Sequence, residues 1–276
     1  PLTSELNMTF DESDPMYTNQ YYIWKQNIDK VWSKYFDLKT VTVAVIDEWV
    51  WFVDNDDLKD VVWTNDWEIP DNGKDDDGNW YIDDYYWRNF VKWNNNMIPY
   101  WNHWTNVAGI LAAQHSNDYG IRWVATNVKI MPLIACDKEQ CPPQSIVDSM
   151  KYAIDNWAKI LNISLWWNEF SYDSTFDDMV KYAKSKWVIL VVSAGNWSFA
   201  TKLWFESKWL DTSKFKVSPA CNDIDNTYDV IWVWALDVNW KISQWSNYGK
   251  CVDFWSYGEK IFTNNLYGYT SFSQEA

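Results

Sequence analysis

The sequence predicts an α/β fold, a doubly wound and mostly parallel sheet with helices on both faces. Several short segments are almost continuously apolar and rich in β-branched residues, which is typical of strands buried on both sides. Segments with helical periodicity separate these strands, and the alternation indicates a parallel sheet with crossover helices. A chain of 276 residues is long enough for one large domain of this class.

The first 38 residues are polar, aromatic and irregular in pattern, so we expect an N-terminal arm over residues 1–38 and the α/β domain over residues 39–276. The first predicted strand is Val41–Ile46, and it ends at Asp47. An apolar run after His103 predicts a buried helix. The other predicted helices span residues 145–156 and 175–186, and the other predicted strands are Val128–Leu133, Lys159–Leu165, Val188–Ser193 and Val230–Leu236.

Composition argues against two classes of partner. A formal net charge of −15 disfavours nucleic acid, because binding to a polyanion depends on Lys and Arg contacts to phosphate. No run of about 18 apolar residues occurs, so the sequence predicts no membrane span. We expect a monomer.

The four cysteines leave two alternatives open. Cys136 and Cys141 are close enough in sequence to close a small surface loop by a disulfide, whereas Cys221 and Cys251 can pair only through the fold. Free thiols at partly buried positions are the other alternative. We expect no metal site from these cysteines, since no CxxC spacing occurs.

Glycine is scarce and tryptophan abundant, with 8 glycines beside 24 tryptophans. An average glycine usage of ~7 % would give roughly 19 glycines in a chain of this length. Trp157 and Trp187 directly follow the two predicted helices, at the position that usually adopts a left-handed backbone and favours glycine. We therefore predict that both side chains are exposed and both backbones strained.

Polar residues follow several predicted strands, where sites in doubly wound sheets are found. Asp47, Ser164 and Asn196 all fall at such carboxyl ends. His103 is one of only two histidines, and imidazole is the side chain best suited to accept and return a proton near neutral pH. His115 lies past the helix in a polar loop, so His103 is the better candidate for a general base.

Four segments that contain these residues resemble, in the same chain order, the sequences VAVIDTGV, GHGTHVAG, NMSLGG and VAAAGN of the subtilisin-like serine proteases. They are Val43–Val50, Asn102–Gly109, Asn162–Trp167 and Val191–Asn196. Segments 230–235 and 254–258 are similar to two later segments of that family. The resemblance implies a subtilisin-like α/β fold and a serine endopeptidase that acts on polypeptide substrates.

The resemblance also implies roles for individual residues. Asp47 would orient His103 and stabilise its imidazolium, and His103 would be the base that activates a serine. Asn196 would supply the side-chain donor of the oxyanion hole. The segment Ser164, Leu165 and Trp166 would pair with the substrate backbone as an added strand.

The nucleophile is the point at which the resemblance breaks down. The ending Tyr269–Ala276 is similar to the family segment YxSMSGTS, and in this register Ala276 stands where the catalytic serine belongs. Ser271 is the second candidate. We therefore expect that the polypeptide as written hydrolyses no peptide bond and is a truncated piece of a longer gene product, and its alternative function is a catalytically inactive peptide-binding module. A carbohydrate-binding protein would need its tryptophans on one face, whereas they are scattered over turns and helix ends.

An acidic segment between Asp47 and His103 predicts a structural calcium site. Oxygen ligands at alternating positions, as in a calcium loop, are predicted from Asp75, Asp77, Asn79 and the Tyr81 carbonyl, with Asp83 or Asp84 closing the site. Trp80 occupies the position where such a loop needs glycine. A solvated acidic loop is the alternative. Together with the family resemblance, we expect a secreted or cell-envelope protein.

Tryptophan stands at many positions where the family has glycine, which suggests a single cause. We propose that the source organism reads UGA as glycine and that these codons were translated as tryptophan. The positions concerned are Trp49, Trp104, Trp123, Trp157, Trp166, Trp167, Trp187 and Trp234.

Overall fold

The computed structural model describes residues 14–35, 39–48, 52–95, 103–137, 140–165, 173–195, 211–213, 218, 221–222, 230–265 and 268–272. Its helices after a short 3₁₀ turn at Tyr17–Asn19 are α1 (Tyr21–Lys25), α2 (Ile28–Tyr35), α3 (His103–Ala112), α4 (Pro143–Asp155) and α5 (Thr175–Ser185). Its strands are β1 (Val41–Asp47), β2 (Arg88–Asn89), β3 (Val128–Ile134), β4 (Ile160–Ile163), β5 (Ile189–Ser193), β6 (Val230–Leu236), β7 (Phe254–Tyr257), β8 (Ile261–Asn265) and β9 (Gly268–Phe272).

The strands form a 7-stranded parallel sheet in the order β2-β3-β1-β4-β5-β6-β7, beside a 2-stranded antiparallel hairpin of β8 and β9. Successive residues of β1 point to opposite faces of the sheet. Val43 and Val45 pack in the core that contains the buried residues of α3, whereas Ala44 and Ile46 pack in the core that contains those of α4 and α5. Helices thus cover both faces, and the predicted doubly wound fold is confirmed.

Residues 14–35, which the sequence pattern suggested to be irregular, form a 3₁₀ turn and two helices. Ile23 and Trp32 are buried in a third core with residues that follow β7 and α3. Arg122 donates from Nε to Asp14 at 2.8 Å, and both side chains are buried. These helices are short, so tertiary contacts rather than local periodicity stabilise them.

Both disulfides that the sequence allowed are formed, one between Cys136 and Cys141 and one between Cys221 and Cys251. The first closes the turn between β3 and α4. The second joins segments 30 residues apart in sequence, close to the start of β7. None of the helices in the described part of the chain is long and apolar enough to cross a bilayer.

The prediction for the two helix-end tryptophans is confirmed. Trp157 follows α4 with φ 68° and Trp187 follows α5 with φ 59°, and their side chains are 78 % and 88 % exposed. The proposed calcium-loop position Trp80 has φ 77°, and sequence reasoning missed two further tryptophans of this kind, Trp93 with φ 53° and Trp240 with φ 64°. A bulky side chain at positive φ is a conformational outlier, so all five positions favour glycine.

Two tryptophans at family glycine positions show a second kind of misfit, a buried indole N–H group without an acceptor. Trp104 is fully buried in α3, and its indole Nε1 has no hydrogen-bond partner. Trp234 in β6 also carries an unpaired Nε1. A buried donor without an acceptor costs about 1–3 kcal/mol. Glycine would remove this cost at both positions.

Candidate functional site

Asp47 and His103 meet at the carboxyl edge of the sheet. Asp47 is the last residue of β1 and His103 is the first residue of α3. The His103 Nδ1 atom lies 2.8 Å from Oδ1 and 2.9 Å from Oδ2 of Asp47. The Asp47 side chain is 0 % exposed and that of His103 is 11 % exposed. The sequence therefore brings a buried carboxylate and an imidazole into direct contact across 56 residues of chain.

Helix α3 is fixed against the β8–β9 hairpin, and this packing holds His103 in place. The Thr263 hydroxyl of β8 donates to the Asn106 carbonyl of α3 at 2.8 Å. A Cβ atom at Gly109 would lie 2.2 Å from Asn264 Oδ1 of β8. Only glycine lets the helix and the hairpin approach this closely, so Gly109 belongs to the support of the site.

The protonated form of His103 is favoured in this environment. Burial alone would lower the pKa of His103, because it penalises the charged form. The Asp47 charge, the hydrogen bond to Asp47 and the Glu48 charge act in the opposite direction and outweigh burial. The net effect raises the pKa of His103 above its ordinary value. A group of this kind is suited to accept a proton and to hold it transiently.

Glu48 is a third titratable group at this edge. Its backbone N–H donates to Asp47 Oδ1 at 2.7 Å. Its carboxylate accepts the backbone N–H of His103. Burial and the neighbouring Asp47 charge raise the pKa of Glu48 to about 7, against partial compensation from His103. In the family segment VAVIDTGV, which the segment Val43–Val50 resembles, this position is threonine rather than glutamate.

The three residues expected to pair with substrate are placed in part. Ile46 of β1 pairs with Ile163, the last residue of β4. The residues that follow them, Asp47 and Ser164, therefore lie at the same edge of the sheet. The Ser164 hydroxyl accepts from Asn162 Nδ2 at 2.9 Å. Leu165 is buried, and its carbonyl accepts from the Ser193 hydroxyl at 3.1 Å.

Three further residues named from the sequence lie outside the described residues. They are Trp166 of the expected substrate edge, Asn196 of the expected oxyanion hole, and Ala276 at the expected nucleophile position. The backbone is described as far as Gly195, which has φ 80° just beyond β5. Ser271 lies in β9 and pairs with Phe262 of β8.

The acidic loop holds three carboxylates close together. One oxygen each from Glu68, Asp77 and Asp84 lies within 4.8 Å of the others. Glu68 and Asp84 are buried, and one oxygen of each, Oε2 and Oδ1, has no hydrogen-bond partner. Burial raises the pKa of both groups, and the neighbouring carboxylates raise it further. Buried carboxylate oxygens without donors fit the hard oxygen coordination of Ca²⁺.

The remaining predicted calcium ligands have other contacts. Asp75 accepts the backbone N–H groups of Gly78, Asn79 and Trp80 at 2.8–3.0 Å, which shapes the turn. The Asn79 amide donates to Asp77 and Asp84 at 3.0 Å. The Tyr81 ring packs against Phe90 and Tyr152.

Sequence reasoning missed Glu68 because it precedes the loop. Its Oε1 accepts the backbone N–H groups of Asp76 and Asp77 at 2.7 and 3.1 Å, which turns the side chain toward the cluster. No spacing rule for a contiguous loop includes such a residue. A lone acid between tryptophan and isoleucine, in Trp67-Glu68-Ile69, was the available signal.

Comparisons with known proteins agree with this arrangement. A model of the subtilase family matches residues 38–275. The chain is 33 % identical over 174 residues to a thermophilic serine proteinase of Bacillus sp. (strain AK1). The matched region covers 62 % of this chain and 38 % of that protein. It is 40 % identical over 78 residues to the cell wall-associated protease of Bacillus subtilis (strain 168), covering 28 % and 9 % of the two chains.

A third relative is fervidolysin of Fervidobacterium pennivorans, which is 34 % identical over 101 residues, or 34 % of this chain and 14 % of that protein. The chain thus spans well under half the length of these relatives. The family match, in contrast, extends over most of the chain and includes Asp47, His103 and the whole parallel sheet. This protein belongs to the subtilase family.

Proposed function

We propose that the protein is a serine-type endopeptidase in which His103 is the general base and Asp47 orients it. The observation that carries the proposal is the contact of His103 Nδ1 with both oxygens of the buried Asp47 carboxylate. This contact selects the tautomer with the proton on Nδ1. The proton of a serine hydroxyl then passes to Nε2, and Asp47 stabilises the imidazolium that forms.

The substrate is proposed to be an extended polypeptide that binds at the carboxyl edge of the sheet. Ser164 and Leu165 follow β4 at the edge of the sheet that contains Asp47, and together with Trp166 they would pair with the substrate backbone as an added strand. Asn196 follows β5, the next strand of the sheet, and its amide would donate to the oxyanion of the tetrahedral intermediate. Both roles are supported by the family and by the strand order.

A second candidate function is a peptide-binding module without catalysis. The observation that favours it is Ala276, since a methyl group at the nucleophile position cannot attack a carbonyl. The general base and the substrate edge would then serve binding alone. Ser271 is the remaining serine candidate, but it requires a different register of residues 262–276.

We also propose that the acidic loop binds one structural Ca²⁺ ion through Glu68, Asp77 and Asp84. The unpaired oxygens of Glu68 and Asp84 support this, because their burial without a donor or a cation is unfavourable. A bound divalent ion would neutralise the mutual repulsion of the three carboxylates. Asp75 would shape the turn, and the roles of Asn79 and Tyr81 as ligands stay predictions.

A secreted or cell-envelope location is proposed from two observations. Both cysteine pairs form disulfides, which persist in oxidising compartments. One relative is named a cell wall-associated protease. We further propose that residues 39–276 form the peptidase domain, which acts as a monomer, and that residues 14–35 are part of its packed structure rather than a separate arm.

Peptide turnover and peptide binding separate the two candidate functions. The protein expressed from its own gene is incubated with a fluorogenic peptide library, and binding of uncleaved peptides is followed in parallel by fluorescence anisotropy. Turnover that disappears in Asp47→Asn and in His103→Ala supports the endopeptidase. Saturable binding without turnover supports the inactive module. Turnover that persists in both variants contradicts the proposed mechanism.

A further inference from the structure

We propose that Glu48 is a positioning residue for His103, which holds the first turn of α3 through its carboxylate and supports the protonated imidazole by its negative charge. The inference rests on the proposed function, in which His103 is the base. The Glu48 carboxylate contacts the backbone N–H of His103, and its charge favours the protonated form of the imidazole ring. Neither effect needs contact between Glu48 and the substrate.

The geometry is a closed cycle of hydrogen bonds among three residues. The Glu48 N–H donates to Asp47 Oδ1, the His103 ring contacts the same carboxylate, and the His103 N–H donates to the Glu48 carboxylate. One carboxylate oxygen of each acid and one ring nitrogen of His103 lie within 4.8 Å of one another. The end of β1 and the start of α3 are therefore tied together at both the side chain and the backbone of His103.

The position of Glu48 also satisfies a general requirement of helices. The first N–H groups of a helix have no acceptor within the helix, and the N-terminus carries a partial positive charge. His103 is the first residue of a 10-residue helix, so its N–H is one of these groups. A carboxylate from another part of the chain satisfies the donor and interacts favourably with the helix dipole.

The charge of Glu48 adds to that of Asp47 at the imidazole. Among the described residues, Asp47 and Glu48 raise the pKa of His103 by their charge, and the charges of Asp47 and His103 act on Glu48 in opposite directions. Burial and the Asp47 charge disfavour the charged form of Glu48 and raise its pKa to about 7. It is therefore ionised on the alkaline side of neutrality, where its charge raises the pKa of His103, and neutral on the acidic side.

Imidazole titration by NMR tests the inference without any need for turnover, since the chain has only 2 histidines. His115 serves as the internal reference because it lies past α3, against Trp123. Glu48→Gln removes the charge and keeps an acceptor for the His103 N–H, whereas Glu48→Ala removes both. Asp178→Asn is the matched control, since it removes one carboxylate that is 84 % exposed on α5.

We expect His103 to titrate at lower pH in Glu48→Gln than in the wild type, with His115 unchanged and Asp178→Asn without effect. Amide exchange at His103 should stay slow in Glu48→Gln and become faster in Glu48→Ala. If the protein proves active, the acidic limb of kcat/KM should also move to lower pH in Glu48→Gln. An unchanged His103 titration in Glu48→Gln overturns the inference, and so does an equal shift in Asp178→Asn. Absence of peptidase activity alone would remove the proposed function and leave this result standing.

Discussion

Replacing the two helix-end tryptophans by glycine should stabilise the protein. Trp157 and Trp187 adopt φ of 68° and 59°, where a bulky side chain is strained by about 1–2 kcal/mol. Glycine at these positions relieves that strain. It also lets the chain end each helix in the left-handed conformation that satisfies the last carbonyls.

Two effects oppose this gain, and their size follows from the exposure of the side chains. Trp187 is 88 % exposed, so its removal forfeits only about 30 Å² of buried surface, or roughly 0.7 kcal/mol. Glycine also increases the conformational entropy of the unfolded chain, which lowers the stability of the folded protein by about 0.4–1 kcal/mol. Measured preferences for glycine at such helix ends already include much of this cost. Trp157 is 78 % exposed, so its removal forfeits about 55 Å² of buried surface, or roughly 1.4 kcal/mol. The net gain is therefore about 0.5–1 kcal/mol at Trp187 and close to zero at Trp157.

The double variant Trp157→Gly/Trp187→Gly should gain about 0.5–1 kcal/mol, mostly from Trp187, because the two sites end different helices and act independently. Thermal melting should then show a midpoint roughly 1–4 °C above that of the wild type. Trp67→Gly is the matched control, because Trp67 is 80 % exposed like the helix-end residues but does not have positive φ. It should lower the midpoint or leave it unchanged. A fall in the double variant, or an equal change in Trp67→Gly, would refute the strain argument.

Three further predictions follow from the same structure. The codons of both helix-end tryptophans should be UGA, with UGG at a family-compatible position such as Trp63, and sequencing the coding DNA checks this; UGG at both helix ends rejects the reassignment. Calcium at a hundredfold excess over its Kd should stabilise the protein by about 2.7 kcal/mol, a midpoint rise of roughly 5–10 °C that chelation reverses. The rise should disappear in Glu68→Gln/Asp84→Asn, and its persistence there would exclude this site. Because the pKa of Glu48 is about 7 in the folded protein and 4.5 in its ordinary state, its ionisation should remove up to about 3 kcal/mol of stability as pH rises from 4.5 to above 7. Glu48→Gln should lack this loss, and parallel stability curves for both proteins would contradict the raised pKa.

The parts of the fold that the sequence predicted are those with strong local patterns. The strand Val230–Leu236 has the predicted bounds, and the other central strands differ by one or two residues at their ends, because an uninterrupted apolar run is specific to a strand buried on both faces. The hairpin of β8 and β9 was missed, since its polar and aromatic residues show no such run. The short helices α1 and α2 were missed because their stability comes from buried contacts of Ile23 and Trp32 rather than from their own periodicity.

The candidate site shows the same division. Apolar patterns in the sequence place Asp47 at the end of a strand and His103 at the start of a helix. The contact between the two residues was predicted from the family resemblance alone. Glu48 and Glu68 act through contacts with backbone N–H groups elsewhere in the chain. Such contacts depend on how loops meet in three dimensions, and no spacing in the sequence encodes them.

Covalent labelling by a serine-directed phosphonate is the most direct test of His103 as the base of a serine peptidase. The reagent reacts only with a serine whose hydroxyl is activated, and mass spectrometry locates the adduct. For the protein expressed from its own gene, we expect one adduct on a single serine, lost in His103→Ala and in Asp47→Asn. An adduct that survives both substitutions would contradict the role of the Asp47–His103 pair, and an adduct on Ser271 would show that the nucleophile lies within β9.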